Sequence, residues 1–205
     1  MKPPSHGILV LNKPAGPTSF GVVKNIRRLL GIKKIGHLGT LDPFAEGVLP
    51  LCLNEATKLT PFLLEQDKSY RATVFLGAQT DTQDGTGTVL AQSSRLPDAE
   101  AIQAALADFV GEQWQTPPLY SALHFQGRRL YQWARQGISV AVAPRRITIM
   151  DLTLESVALP EVTFTVTCSK GAYIRTLAAD LGERLGCGAY LKALQRLRVG
   201  PFSLD

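Results

Sequence analysis

The chain has 205 residues, a formal net charge of +5, 45% hydrophobic and 19% charged residues. That balance excludes a disordered chain, a collagen and a coiled-coil rod, and no apolar run approaches the ~20 residues a membrane-spanning helix needs. Cys52, Cys168 and Cys187 are odd in number and far apart, which excludes a disulfide framework or a CxxC metal site and fits reduced core thiols in the cytoplasm.

In chain order, the pattern predicts a strand over 7–11, stopped by Lys13-Pro14-Ala15-Gly16-Pro17. A helix over 20–30 follows, with Thr18 or Ser19 as cap and Val22, Val23, Ile26, Leu29 and Leu30 at helical spacing. Lys24, Arg27 and Arg28 fall on its outer face, and Gly31 is placed to end it. Residues 32–53 are rich in Gly and Pro, and no element is assigned there. Residues 55–65 read as a helix that Pro61 breaks or bends. A strand over 70–76 puts Tyr70, Ala72, Val74 and Leu76 on one face, and 80–88 is a polar loop. Residues 97–110 form a helix with Asp98 and Glu100 in its first turn and Ile102, Leu106 and Phe109 on one face. Strands over 147–154 and 162–168 alternate, the second setting Val162, Phe164, Val166 and Cys168 against Thr163, Thr165, Thr167 and Ser169. A helix over 173–185 turns Ile174, Leu177, Ala178, Leu181 and Leu185 inward, and a last strand spans 189–199. Strands come in runs, not in strict alternation with helices. The expectation is therefore α+β with a mixed, mostly antiparallel sheet flanked by helices, in one catalytic domain.

The basic residues are segregated. Residues 24–34 carry five and no acid, and residues 113–150 carry Arg128, Arg129, Arg135, Arg145 and Arg146 with neither Asp nor Glu. Lys192, Arg196 and Arg198 form a third cluster. The second stretch also holds Tyr120, His124, Phe125, Tyr131 and Trp133. Rings among arginines suit RNA, whose unstacked bases need stacking platforms, but a solvated helix face with ordinary core aromatics has the same composition. Familiar motifs fail. Gly85-Thr86-Gly87 lacks the third glycine of a dinucleotide loop, 81–85 lacks ligands of a calcium loop, and His6, His37 and His124 are not at metal-ligand spacing. One stretch, 36–50 (GHLGTLDPFAEGVLP), sets Asp42 before a proline among glycines. Such a loop can present one carboxylate as nucleophile or base, although an aspartate before proline is more often a turn residue.

That stretch resembles the active-site motif of the tRNA pseudouridine synthases of the TruB type. The likeness extends to 7–14 (GILVLNKP), 53–58 (LNEATK), 67–70 (DKSY), 76–81 (LGAQTD), 117–130, 168–176 (CSKGAYIRT) and 186–201. It implies the pseudouridine synthase fold and isomerisation of uridine to pseudouridine in the T loop of tRNA, position 55, without cofactor or metal. By the same resemblance Asp42 is the catalytic aspartate, Arg175 its pairing arginine, and Tyr70 the tyrosine that packs on the target base. Tyr173 and Leu194 line the uridine pocket, His37 helps hold the disrupted T loop, and Lys13 sits in a substrate-side motif. Residues 117–144 match the family's mobile RNA-gripping insertion, with Arg128, Arg129, Arg145, Arg146 and Arg196 as contacts to the RNA backbone. The usual Leu-Arg-Arg is Leu194-Gln195-Arg196 here. Bacterial members usually continue into a C-terminal RNA-binding domain of PUA type, which this chain is expected to lack. The expected partner is the T arm of tRNA, with no membrane and no nucleotide cofactor, and the chain acting as a monomer in the cytoplasm. A tRNA-folding chaperone, or a synthase for another RNA stem-loop, is the alternative reading.

Overall fold

The computed structural model of the protein describes residues 6–204. Its elements are β1 (Gly7–Lys13), α1 (Ser19–Leu30), β2 (Ile35–His37), β3 (Glu46–Leu53), a 3-10 turn over Asn54–Leu59, α2 (Thr60–Leu64), β4 (Lys68–Leu76), β5 (Ala78–Thr80), β6 (Val89–Gln92), α3 (Ala99–Ala107), β7 (Gly111–Gln115), β8 (His124–Phe125), β9 (Arg128–Arg129), α4 (Leu130–Ala134), β10 (Arg145–Ala158), β11 (Glu161–Cys168), α5 (Ile174–Arg184) and β12 (Ala189–Val199). Eight strands form a mixed, mostly antiparallel sheet and β5–β6 and β8–β9 form two small ones, so the α+β class read from the strand runs holds. No helix among the described residues is long and apolar enough to cross a membrane. The chain divides into two compact units. One takes the residues up to Arg71, Thr167–Lys170 and those from Ala193 on; the other takes Ala72–Val166 and Gly171–Lys192.

In the first unit β1 pairs antiparallel with β3 from Gly7↔Leu53 to Lys13↔Gly47. β3 accepts β12 in parallel at Gln195↔Glu46 and Arg196↔Gly47, and β2 over its other end. Residues 46–53 were assigned no element from sequence, and the structure explains why. β3 is buried on both faces. Leu49, Leu51 and Leu53 pack with Val23, Ile32 and Ile35 under α1, while Val48 and Cys52 pack with Leu38 and Val199. β1 follows the same alternation, Leu9 and Leu11 joining the first cluster and Ile8 and Val10 the second. A strand covered on both sides shows no polar–apolar period, and Pro50 argues against a central strand. Each buried leucine contributes about 1.5–3 kcal/mol. Thr18, not Ser19, caps α1, accepting from Gly21 N at 2.9 Å, and Gly31 closes it at φ +65°. Residues 54–64 are a 3-10 turn followed by α2, with Pro61 in the first turn of α2, where its missing N–H costs nothing.

In the second unit the strand faces read from sequence are as expected: Ala72, Val74 and Leu76 of β4, Val162, Phe164 and Val166 of β11, and Ile147 and Ile149 of β10 are buried. Thr73 and Thr163 share a hydrogen bond of 3.1 Å between β4 and β11, and Phe75 stacks on Tyr190 of β12 at 5.1 Å. α3 packs on β10 and on α5. Asp98 caps α3, accepting from Ala101 N at 2.8 Å. Residues 117–144 contain the small β8–β9 hairpin and α4.

Gly47 sets the closest backbone approach in the first unit. It sits at φ +105°, and a Cβ there would collide with the backbone of Arg196. Gly47→Ala is expected to cost at least about 3 kcal/mol, the upper range for one substitution. A urea midpoint equal to that of the unaltered chain would contradict this close packing.

Candidate active site

Asp42 stands on a loop held by several backbone hydrogen bonds. The buried hydroxyl of Ser19 accepts from Leu41 N at 2.9 Å and donates to Leu41 O at 3.0 Å. Gly16 N donates to Pro43 O at 2.7 Å, and Ala45 N to Asp42 O at 3.1 Å. Lys13 ends β1 with no exposed surface. Its ammonium donates to Ala45 O at 2.6 Å, Pro14 O at 2.9 Å and Pro43 O at 3.2 Å. Arg196 donates from Nε to Val48 O at 2.8 Å and from Nη2 to Gly39 O at 3.2 Å. The loop is thus held from α1, β1 and β12.

Three buried cations collect here. Lys68 donates to Leu64 O at 2.9 Å and to Gln66 O. Burial lowers the pKa of Lys13, and the carboxylate of Asp42 opposes that shift; burial and then the charge of Arg196 lower that of Lys68. Tyr70 is buried on β4. Burial pushes its phenol up to about 12, against the pull of the Arg196 guanidinium. The Cys168 thiol is likewise pushed up to about 12 by burial. Leu194 is buried on β12. His37 ends β2 with its Nδ1 buried and without a hydrogen-bond partner. Burial first, then the Arg196 charge, lower its pKa, and a backbone contact at Gly39 opposes them.

Arg175 and Tyr173 belong to the second unit. Arg175 lies in the first turn of α5 and is buried. It donates to Tyr120 O at 2.9 Å and Thr82 O at 3.1 Å, and its Nη1 lies 3.8 Å from Asp84 Oδ2. Asp84 is itself buried, its Oδ1 accepting from Thr86 Oγ1 at 2.6 Å, Thr82 Oγ1 at 2.8 Å and Thr86 N at 3.0 Å. The Tyr173 backbone is fixed by Gln115, which accepts from Tyr173 N at 2.7 Å and donates to Tyr173 O at 3.1 Å.

The basic residues divide. Arg128 and Arg129 are exposed, Arg128 lying over the Trp133 ring at 5.3 Å and Arg129 donating to Ala122 O at 3.1 Å. Arg135 lies over Tyr131 at 5.4 Å. Arg145 is half-buried, and Arg146 is ion-paired with Glu112 across the β7–β10 ladder. Arg196, expected at the RNA backbone, is 1% exposed. Lys13 is likewise beneath the loop and not at its surface. Sequence reasoning missed Asp84, read as part of a polar loop, and Ser19, read as a possible cap. The signal for Asp84 was its setting between two threonines, which suits a carboxylate accepting in an Asx-type turn.

Comparison with known proteins gives a consistent picture. Residues 27–174 match the model described as "TruB family pseudouridylate synthase (N terminal domain)", and residues 175–205 match "tRNA pseudouridylate synthase B C-terminal domain". The chain is 55% identical over 199 residues to a tRNA pseudouridine synthase B of Syntrophus aciditrophicus, covering 97% of this chain and 64% of that protein. It is 53% identical to the same-named protein of Burkholderia pseudomallei, covering 97% and 66%. It therefore spans just under two thirds of these curated relatives. Among solved structures it resembles a chain of a Cbf5-Nop10-Gar1 complex at 33% identity and TM-score 0.76, covering 98% of this chain and 51% of that one. A chain from an H/ACA RNP bound to a substrate RNA containing 2'-deoxyuridine matches at 30% identity and TM-score 0.73, covering 97% and 49%.

The His37 environment makes a titration prediction. Its folded pKa lies below the unfolded value of about 6.5, so acidification protonates the unfolded chain first. The contribution of His37 to stability is complete above that pH and is lost as the pH falls through the folded pKa. An NMR ring titration should give His37 a midpoint below about 6.5; a midpoint at or above it contradicts the site's electrostatics.

Proposed function

The chain belongs to the TruB family of pseudouridylate synthases, and on that premise we propose that it isomerises uridine to pseudouridine in the T loop of tRNA, at position 55, with Asp42 as the essential carboxylate. The observation that carries the reading is the rigid presentation of Asp42. The carbonyls around it are held by buried Lys13 and Arg196, and Leu41 is held by Ser19. A carboxylate placed this way needs little reorganisation when it meets substrate.

The reaction is balanced without a redox partner. The N1–C1′ bond breaks, the base turns, C5–C1′ forms, C5 loses a proton and N1 gains one. Asp42 supplies the ionised carboxylate that this exchange requires. The family likeness assigns Arg175 as its pairing arginine; within its own unit that guanidinium is held by the Thr82 and Tyr120 carbonyls, with the buried Asp84 at 3.8 Å. Tyr70, a neutral phenol well above pH 7, packs on the extruded base and offers a donor, not a pre-formed anion. Leu194 and Tyr173 wall the base, as a base taken from its stack requires. His37 holds the opened loop by stacking, which a neutral ring suits. Lys13 serves from beneath, through the loop it grips. Residues 117–144 grip the RNA, with Arg128, Arg129, Arg145 and Arg146 at phosphates. The chain works as a monomer in the cytoplasm, and the three buried free cysteines support the reducing compartment.

Single-turnover assays on a T-arm hairpin test this. Asp42→Asn should lower the rate about a thousandfold or more, an effect of about 4 kcal/mol, while RNA affinity stays within a few fold. Full activity in that variant refutes the assignment. Tight binding by the wild type without any product favours the folding-chaperone reading. Arg128→Gln and Arg129→Gln should each reduce the slope of log affinity against log salt by about 1 without changing the bound-state rate. An unchanged slope removes that arginine from the RNA contact.

A further inference from the structure

We infer that Arg196 is a positioning residue for Asp42: its buried guanidinium clamps both flanks of the Asp42 loop instead of contacting RNA. The inference deepens the proposed activity and rests on it. Arg196 is among the largest fully buried side chains of the protein, so a phosphate cannot reach it without dismantling the strand that carries it. Its two nitrogens donate to carbonyls on opposite flanks of Asp42, Gly39 on one and Val48 on the other. Its own backbone lies opposite Gly47, where even a methyl group would not fit. The loop is therefore pinned by side chain and main chain of one residue.

The charge of Arg196 also reaches Lys13, His37, Lys68 and Tyr70, acting on the pKa of each. No other residue is common to all four. Gly39 O and Val48 O are neutral carbonyls, which orient the guanidinium and leave its charge intact. Asp42 acts on two of these four groups, Lys13 and Tyr70. Arg196 thus fixes the path of the loop and adds positive potential where the carboxylate stands. A lysine reproduces this only in part, because Nε and Nη2 reach the two carbonyls from separate positions of a rigid fork and an ammonium has a single nitrogen.

The test compares wild type, Arg196→Gln and Arg196→Lys by three readouts: amide hydrogen exchange at Ala45, whose N–H bonds Asp42 O; single-turnover rate on a T-arm hairpin; and hairpin affinity with its salt slope. Arg196→Gln should speed Ala45 exchange about tenfold or more and lower the bound-state rate about a hundredfold, with affinity within about twofold and the slope unchanged. Arg196→Lys should fall between. A rate within about twofold of wild type in folded Arg196→Gln overturns the inference, as does weakened affinity with the slope reduced by about 1, the mark of a phosphate contact. If Arg196→Gln does not fold, Arg196→Lys decides: slower turnover with faster Ala45 exchange supports the clamp, and wild-type values for both overturn it. If the wild type makes no pseudouridine, the proposed activity fails, while Ala45 exchange still decides whether the clamp exists.

Discussion

Buried positive charge donating to the carbonyls around Asp42 is the constraint on which the site depends. Lys13 and Arg196 come from β1 and β12, and neither is exposed to any useful degree. Burying an ammonium and a guanidinium costs several kcal/mol each unless their donors are satisfied and a counter-charge is near. Carbonyls of the loop accept from both cations, so residues 39–48 cannot relax without removing acceptors from buried charge. That coupling turns a Gly- and Pro-rich segment into a fixed mount. It also explains why β3 must run buried between β1 and β12: their registers bring Lys13 and Arg196 to the same residue, Gly47.

The residues that the family likeness singles out are divided between the two units. The first holds the carboxylate, the neutral phenol of Tyr70 and the apolar Leu194. The second holds Arg175 on α5, aligned by Asp84 and two carbonyls, and the exposed arginines around β8, β9 and α4. The exposed Arg128 and Arg135 lie over the rings of Trp133 and Tyr131.

What the sequence made legible follows from how each element meets water. Strands with one buried face, at 70–76 and 162–168, declare themselves by alternation, and helices with a cap and a glycine stop, at 20–30, declare both ends. β3 escaped because burial on both faces erased the alternation and Pro50 mimicked a loop. Asp42 was chemically legible only through the family resemblance, since a lone aspartate before proline carries no further signal. The role of Arg196 was hidden for another reason. A basic residue in a basic cluster reads as surface, and only the pairing of β12 with a strand 148 positions earlier puts its guanidinium on Val48 O. Ser19 and Asp84 were hidden likewise, because short polar side chains in turns look alike until their partners are known.

The most direct test of the central claim is release of C5 tritium from a T-arm hairpin labelled as 5-tritiated uridine, incubated with the purified chain. The account predicts release into water from one loop uridine only, matched mole for mole by pseudouridine at that position. Retention of the label, or release spread over uridines outside the loop, would contradict it.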